Sequence, residues 1–160
     1  MKRNILIKDY KPSLNLIDTE ITIKLVKDTF ERKLAEELGL IRVSAPLFVE
    51  PQTGLNDNLT GVEKAVSFKS VELGYELEVV QSLAKWKRNA LKMYNFKADT
   101  GLYTDMNAIR PFEDLDNIHS LYVDQWDWEK IITENERNLD FLKVTVENIY
   151  KALLDTEEVL

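Results

Sequence analysis

Residues Gly101–Glu129, GLYTDMNAIRPFEDLDNIHSLYVDQWDWE, constrain the chain more than any other stretch. They read as strand, polar loop, strand. The first strand ends at Arg110, with Pro111 and Glu113 just beyond, and the loop Phe112–Ser120 is rich in Asp and Asn. The return strand, Leu121–Glu129, alternates cleanly. Successive side chains of a strand point to opposite faces, so Gln125, Asp127 and Glu129 share one face and Tyr122, Trp126 and Trp128 the other. Each tryptophan is a large apolar surface with a single N–H to satisfy, so that face calls for burial. The polar face then lines solvent or a cleft.

The rest of the chain supplies helices to flank this hairpin. Residues 1–17 read as an extended lead-in broken by Pro12. Asp18 is a plausible N-cap, and Ile23, Val26, Phe30, Leu34 and Leu38 then recur at helical spacing up to Gly39, a fitting residue just past a helix end. A strand follows at Leu40–Ser44, before Pro46. The segment Thr53–Gly61, TGLNDNLTG, is dense in turn formers. Residues 65–69 and 75–80 alternate as a hairpin around Gly74. Ser82–Tyr94 reads as a helix with Leu83, Trp86, Ala90 and Met93 on one face and Lys85, Lys87 and Arg88 on its surface. Thr133 and Glu136 form a capping-box pattern. Leu139, Leu142, Val146, Ile149 and Leu153 then mark the apolar stripe of a last helix, which has no stop signal before Leu160. The order helix, strand, hairpin, helix, hairpin, helix predicts an α/β (α+β) fold with a mainly antiparallel sheet flanked by helices.

Composition narrows the chemistry. A chain of 160 residues fits one domain with a real hydrophobic core. It has no cysteine, which excludes disulfides, a cysteine nucleophile and a Cys-based zinc site. Its single histidine, His119, rules out a His-rich metal cluster. The net charge of −7 argues against a nucleic-acid partner, since that affinity is built from many Lys and Arg contacts. No apolar run approaches the roughly 20 residues that cross a membrane. The start is too short in apolar residues for a signal peptide, so cytoplasm is the default. The sequon Asn58-Leu59-Thr60 carries no meaning there.

The combination of an Arg opening the hairpin loop, a Glu three residues on, and Gln-x-Asp mid-strand on the return resembles motif 2 of the class II aminoacyl-tRNA synthetase core. The wording HS–YVDQWDWE, with SLAKWKR upstream, is more specific. It is similar to the ammonia-dependent asparagine synthetases (aspartate–ammonia ligases), which are built on that core, from about Asp18 to the end of the chain. Long helix into strand ending at a proline, IRVSAPLFVE, resembles motif 1 (about 18–51), with motif 2 at about 101–129. The resemblance implies ATP-dependent conversion of L-aspartate and ammonia to L-asparagine through β-aspartyl-AMP, with Mg²⁺, and a homodimer made largely by motif 1. It implies an α-phosphate ligand in Arg110, an adenine-side contact in Glu113, and further catalytic roles for Asp57 and Lys87. Gln125, Asp127, Ser82 and Gln81 would bind substrate, and His119 and Ser120 would stand on the nucleotide side. Gln81 is a departure: better-known members read VVHSLAKWKR, and glutamine keeps a hydrogen-bonding group but cannot carry a proton.

The third class II motif, a Gly-rich strand-to-helix segment with an Arg for the γ-phosphate side, is not found among the five glycines. The expectation is therefore an incomplete core, the N-terminal half of such an enzyme, with an apolar face left exposed and no asparagine synthesis by itself. The alternatives are a non-catalytic relic that binds nucleotide or amino acid or dimerises, and, further off, an aminoacyl-tRNA synthetase paralogue.

Overall fold

The computed structural model describes residues 9–57, 59 and 61–160. The sequon residues Asn58 and Thr60, and the first half of the lead-in, lie outside the described residues. Three α-helices, six strands and two short 3₁₀ turns among the described residues make an α/β fold with small, mainly antiparallel sheets. The chain divides into two compact units, one of residues 43–95 and 103–129, the other of residues 7–42, 96–102 and 130–160.

In the second unit, helix α1 (Leu16–Leu38) packs on helix α3 (Leu139–Glu157). The cap of α1 is Asn15, whose side chain accepts from the Asp18 N–H at 2.9 Å. Asp18 was the residue expected there. It stands instead in the first turn, where its carboxylate complements the positive end of the helix dipole. Gly39 ends the helix as its position suggested, at φ 66° with its N–H bonded to Ala35 O. A Cβ there would meet Asp99 O at 3.1 Å, so both conformation and space favour glycine. Strand β1 (Leu40–Arg42) follows, beside the start of β5 (Gly101–Ile109), with Gly101 N–H donating to Gly39 O at 3.2 Å. It is shorter than the sequence suggested.

The capping box at Thr133 forms, with the Glu136 carboxylate accepting from the Thr133 N–H at 2.6 Å. It closes a 3₁₀ turn, Glu134–Glu136, not α3; Asn138 caps α3 by accepting from Phe141 N–H. The apolar stripe of α3 is largely exposed. Leu139, Leu142, Val146 and Leu153 are 64, 56, 55 and 51% exposed, whereas Ala152 and Thr156 are buried. Small side chains at the crossing let two helices approach closely. On α1, Leu34 and Leu38 are buried while Leu16, Ile17 and Ile21 are exposed. Ion pairs Lys33–Asp155 (2.9 Å) and Lys151–Glu37 (2.5 Å) tie the two helices.

The first unit holds a small antiparallel sheet in the order β2 (Phe48–Val49), β4 (Glu76–Val79), β3 (Ser67–Lys69). Phe48 pairs with Val79, and Phe68 with Leu77. The two phenylalanine rings meet edge to face at 5.3 Å. The β3–β4 turn carries Gly74 at φ 77°, as its central position implied. Helix α2 (Ala84–Met93) buries Trp86, Ala90 and Leu91, with Leu83 just before it. Met93, expected on that face, is exposed at 64%, and Lys87, expected on the surface, is 4% exposed. In the long hairpin, β5 pairs with β6 (Tyr122–Lys130), and Arg110 N–H donates to Leu121 O at 2.7 Å. Met106 and Ala108 of β5 are buried. Trp126 and Trp128 are only half-buried, while the opposite face of β6 faces α2, where Asp127 and Glu129 meet Lys87.

Candidate active site

The site is assembled from three sequence-distant pieces of the first unit: the loop before residue 61, the turn from β4 into α2, and the head of the hairpin. Asn56 joins the first two. It is buried; its Oδ1 accepts the Gln81 N–H at 2.8 Å, and its Nδ2 donates to Glu78 Oε2 at 3.1 Å and Val79 O at 3.2 Å. One amide thus fixes the end of β4 and, through the peptide bond, the position of its neighbour Asp57. That carboxylate pairs with Lys85 Nζ at 3.1 Å. Sequence reasoning missed Asn56. The run TGLNDNLTG holds several interchangeable turn formers, and nothing local distinguishes the one that turns inward.

The third piece is joined to the second by Arg110. Its Nη1 donates to Gln81 O at 2.7 Å. A guanidinium carries further N–H donors in a planar fork, so this bond orients Arg110 without exhausting it. Around it lies a cleft of about 140 Å³, lined by Gln81, Arg110, Glu63 and Glu113 on its polar side and Leu59 and Phe112 on its apolar side. Glu113 N–H donates to Arg110 O at 3.2 Å, the turn that brings both charged side chains to one opening.

Lys87 is the buried charge of this unit. Its Nζ bonds to the Asp127 carboxylate, to Trp128 O at 2.8 Å, and approaches Glu129 Oε2 at 3.6 Å. Glu129 also approaches Arg88 at 3.7 Å. A buried ammonium persists only when paired and hydrogen-bonded, and here two hydrogen bonds and a second carboxylate, all from β6, meet that need. Lys87 therefore sets the side chain of Asp127. On the same face, Gln125 Nε2 contacts Met106 Sδ at 3.4 Å.

The remaining expected residues are placed differently. Ser82 Oγ accepts the Ala84 N–H at 3.2 Å, which spends it on the start of α2. His119 and Ser120 lie within the hairpin loop and do not line the cleft. Asp116 Oδ1 accepts from the N–H groups of Ile118 and His119, each at 2.9 Å, and meets His119 Nδ1 at 2.8 Å. The Ile118 N–H first, then the His119 ring, hold the Asp116 carboxyl below its usual range. Ser120 Oγ accepts from Tyr122 N–H at 3.4 Å. The structure thus brings together Gln81, Arg110 and Glu113, sets Lys87 against Asp127, and uses His119 to brace the loop.

Among the described residues, no group of three or more His, Cys, Asp or Glu side chains is arranged to hold a metal ion. No ligand set for Mg²⁺ is assigned. No described helix is long and apolar enough to cross a membrane.

A fixed guanidinium thus stands beside carboxylates in a small cleft. Residues 17–160 match the family model for aspartate-ammonia ligase, and the chain belongs to that family. It is 60% identical over 159 residues to the aspartate–ammonia ligase of Clostridium tetani, covering 98% of this chain and 46% of that protein. The enzyme of the same name from Lactobacillus johnsonii is 57% identical over 157 residues, 98% of this chain and 47% of its own length. That of Ruminiclostridium cellulolyticum is 59% identical over 160 residues, 98% and 48% respectively. The chain spans about half the length of the curated relatives it matches.

Proposed function

We propose that this chain serves ATP-dependent synthesis of L-asparagine from L-aspartate and ammonia, on a class II synthetase-like core. The observation that carries the reading is the cleft in which Arg110, held by Gln81 O, stands beside Glu113 at the head of the motif 2 hairpin. In the proposed reaction a β-carboxylate oxygen of aspartate attacks the α-phosphorus of ATP. The bond to the β-phosphate bridge breaks, and pyrophosphate leaves. Ammonia then attacks the β-carbonyl carbon of β-aspartyl-AMP, the carbon–oxygen bond to AMP breaks, and the nitrogen loses a proton. Both partners of the first step are anions, so positive charge fixed at the α-phosphate is the main requirement. Arg110 supplies it with a fork that matches phosphate oxygens.

Glu113 faces the adenine side. Asp127 and Gln125 of β6, with Asp57, receive the polar groups of aspartate, and Lys87 acts through Asp127 by holding its carboxylate in place. Ser82 and Gln81 stand at the substrate end, while His119 and Ser120 keep the nucleotide loop in shape. Mg²⁺ accompanies the triphosphate and neutralises its oxygens. The protein acts in the cytoplasm, as a homodimer formed through the motif 1 helix and strand. The test is pyrophosphate release from ATP in an active assembly that contains this chain, beside binding of ATP and L-aspartate by the purified chain. Release that requires L-aspartate for the first turnover and ammonia for those that follow supports the reading. Binding of ATP and aspartate without release leaves a binding protein, and binding of neither overturns it.

A further inference from the structure

Lys87 has more negative charge around it than one ammonium needs. Its side chain is buried, and two carboxylates of β6 stand against it: Asp127, hydrogen-bonded through Oδ1, and Glu129, whose Oε2 lies 3.6 Å away. A bond to Trp128 O at 2.8 Å fixes the ammonium between them. One carboxylate neutralises one lysine. A second on the same strand face carries a cost, because the two like charges repel. Arg88 offsets little of that cost: its Nε stands 3.7 Å from Glu129 Oε1, and its side chain is 70% exposed. Neither Lys87 nor Glu129 lines the cleft around Arg110.

The use of the second carboxylate follows from the task of the first. A carboxylate that is the sole partner of a buried ammonium is not available to another cation, since turning toward it would leave the ammonium unpaired in the interior. With Glu129 in place, Lys87 stays compensated while Asp127 shares its charge. The bond from Lys87 uses one oxygen of Asp127, and a carboxylate has a second with which to accept. We propose that Glu129 is a positioning residue: as the second counter-ion of Lys87, it leaves Asp127 able to accept from the ammonium of the amino-acid substrate. The inference rests on the reading of the site as one for L-aspartate. It adds to it a residue that touches neither substrate nor nucleotide and acts through Lys87 and Asp127.

Calorimetric titration of the full chain with L-aspartate, with succinate, which lacks the ammonium, and with ATP tests it. Glu129→Gln keeps the shape of the side chain and removes its charge. It is expected to weaken L-aspartate about tenfold, the scale of coupling between neighbouring charged groups. Succinate and ATP should bind it as they bind the unsubstituted chain. Glu129→Asp, which keeps the charge on a shorter stem, is expected to recover most of the loss. Undiminished aspartate affinity in Glu129→Gln would overturn the inference. So would equal weakening of aspartate and of succinate or ATP, which marks a packing role. A Glu129→Asp variant as weak as Glu129→Gln also counts against it, because the charge would then not be what matters. If the unsubstituted chain binds no aspartate, the reading of the site falls first and the inference with it.

Discussion

The turn around Gln81 and the helix pair α1–α3 solve opposite problems. At the turn, polar and charged groups are buried and nearly every one has a partner: Asn56 with Gln81 and Glu78, Lys87 with Asp127, Arg110 with a carbonyl. On the helix pair several apolar side chains are left out, with Leu139, Leu142 and Val146 exposed while Leu34, Leu38 and Ala152 are buried. Burying a charge is expensive unless its geometry is good, so a cluster such as that of Lys87 has to be specified by several elements at once. An apolar stripe on a helix tolerates either fate at modest cost. The contrast separates a region held by buried polar pairs from one where a long apolar stripe stays outside the packed face.

Substitutions in both regions test this difference, in falling order of expected effect. Arg110→Ala should lower adenylate formation about 10²-fold or more, because a phosphate contact made in the transition state is lost. Arg110→Lys should be nearly as poor, since a point charge does not reproduce the fork. Near-normal turnover of either variant, measured as pyrophosphate release in an active assembly, would remove Arg110 from the phosphate site. Lys87→Met should cost about 3 kcal/mol, at the low end for breaking a buried pair, because the Asp127 and Glu129 carboxylates keep some water. Adding Asp127→Asn should return part of that loss in urea unfolding; a purely additive double variant would mean the pair is not coupled.

On the helix pair, Ala152→Leu should cost about 2 kcal/mol by overpacking the crossing with α1. Val146→Glu, on the exposed stripe, should stay within about 0.5 kcal/mol. The reverse order would mean that Val146, and not Ala152, lies on the packed face of α3. The smallest effect is on pH. Lys33, through its hydrogen bond, holds the Asp155 carboxyl below its ordinary value. Its contribution is then present above the ordinary carboxylate range and is lost as pH falls through the lowered value. Asp155→Asn should flatten the acid edge of a plot of Tm against pH and leave the neutral region almost unchanged. An equal shift at every pH would point to packing instead.

Several elements were legible from the residues alone because their signals are local. Gly39 ends α1 since only its missing Cβ suits the left-handed turn, and that depends on no partner. Alternation over Leu121–Glu129 put Gln125, Asp127 and Glu129 on one face, and that face is the one that meets Lys87. The cap of α1 was misread by three residues, since Asn15 and Asp18 both suit the task and only backbone geometry chooses between them.

What the sequence by itself determined is thus most of the elements, the faces of β6 and, through the wording of the hairpin, the family. Tertiary structure decided which faces are buried and which polar groups meet. The apolar spacing of α3 describes a stripe, but Ala152 and Thr156 are inside because α1 approaches there, and periodicity carries no information about a partner. Lys87 looked like a solvated lysine of an amphipathic helix until β6 placed a carboxylate and a carbonyl against it. Asn56, Gln81 and Arg110 lie 25 and 29 residues apart along the chain, and each bond between them exists only once three separate segments have folded together. Local propensity acts over a few neighbouring residues; burial and hydrogen-bond pairing in this site act across the fold.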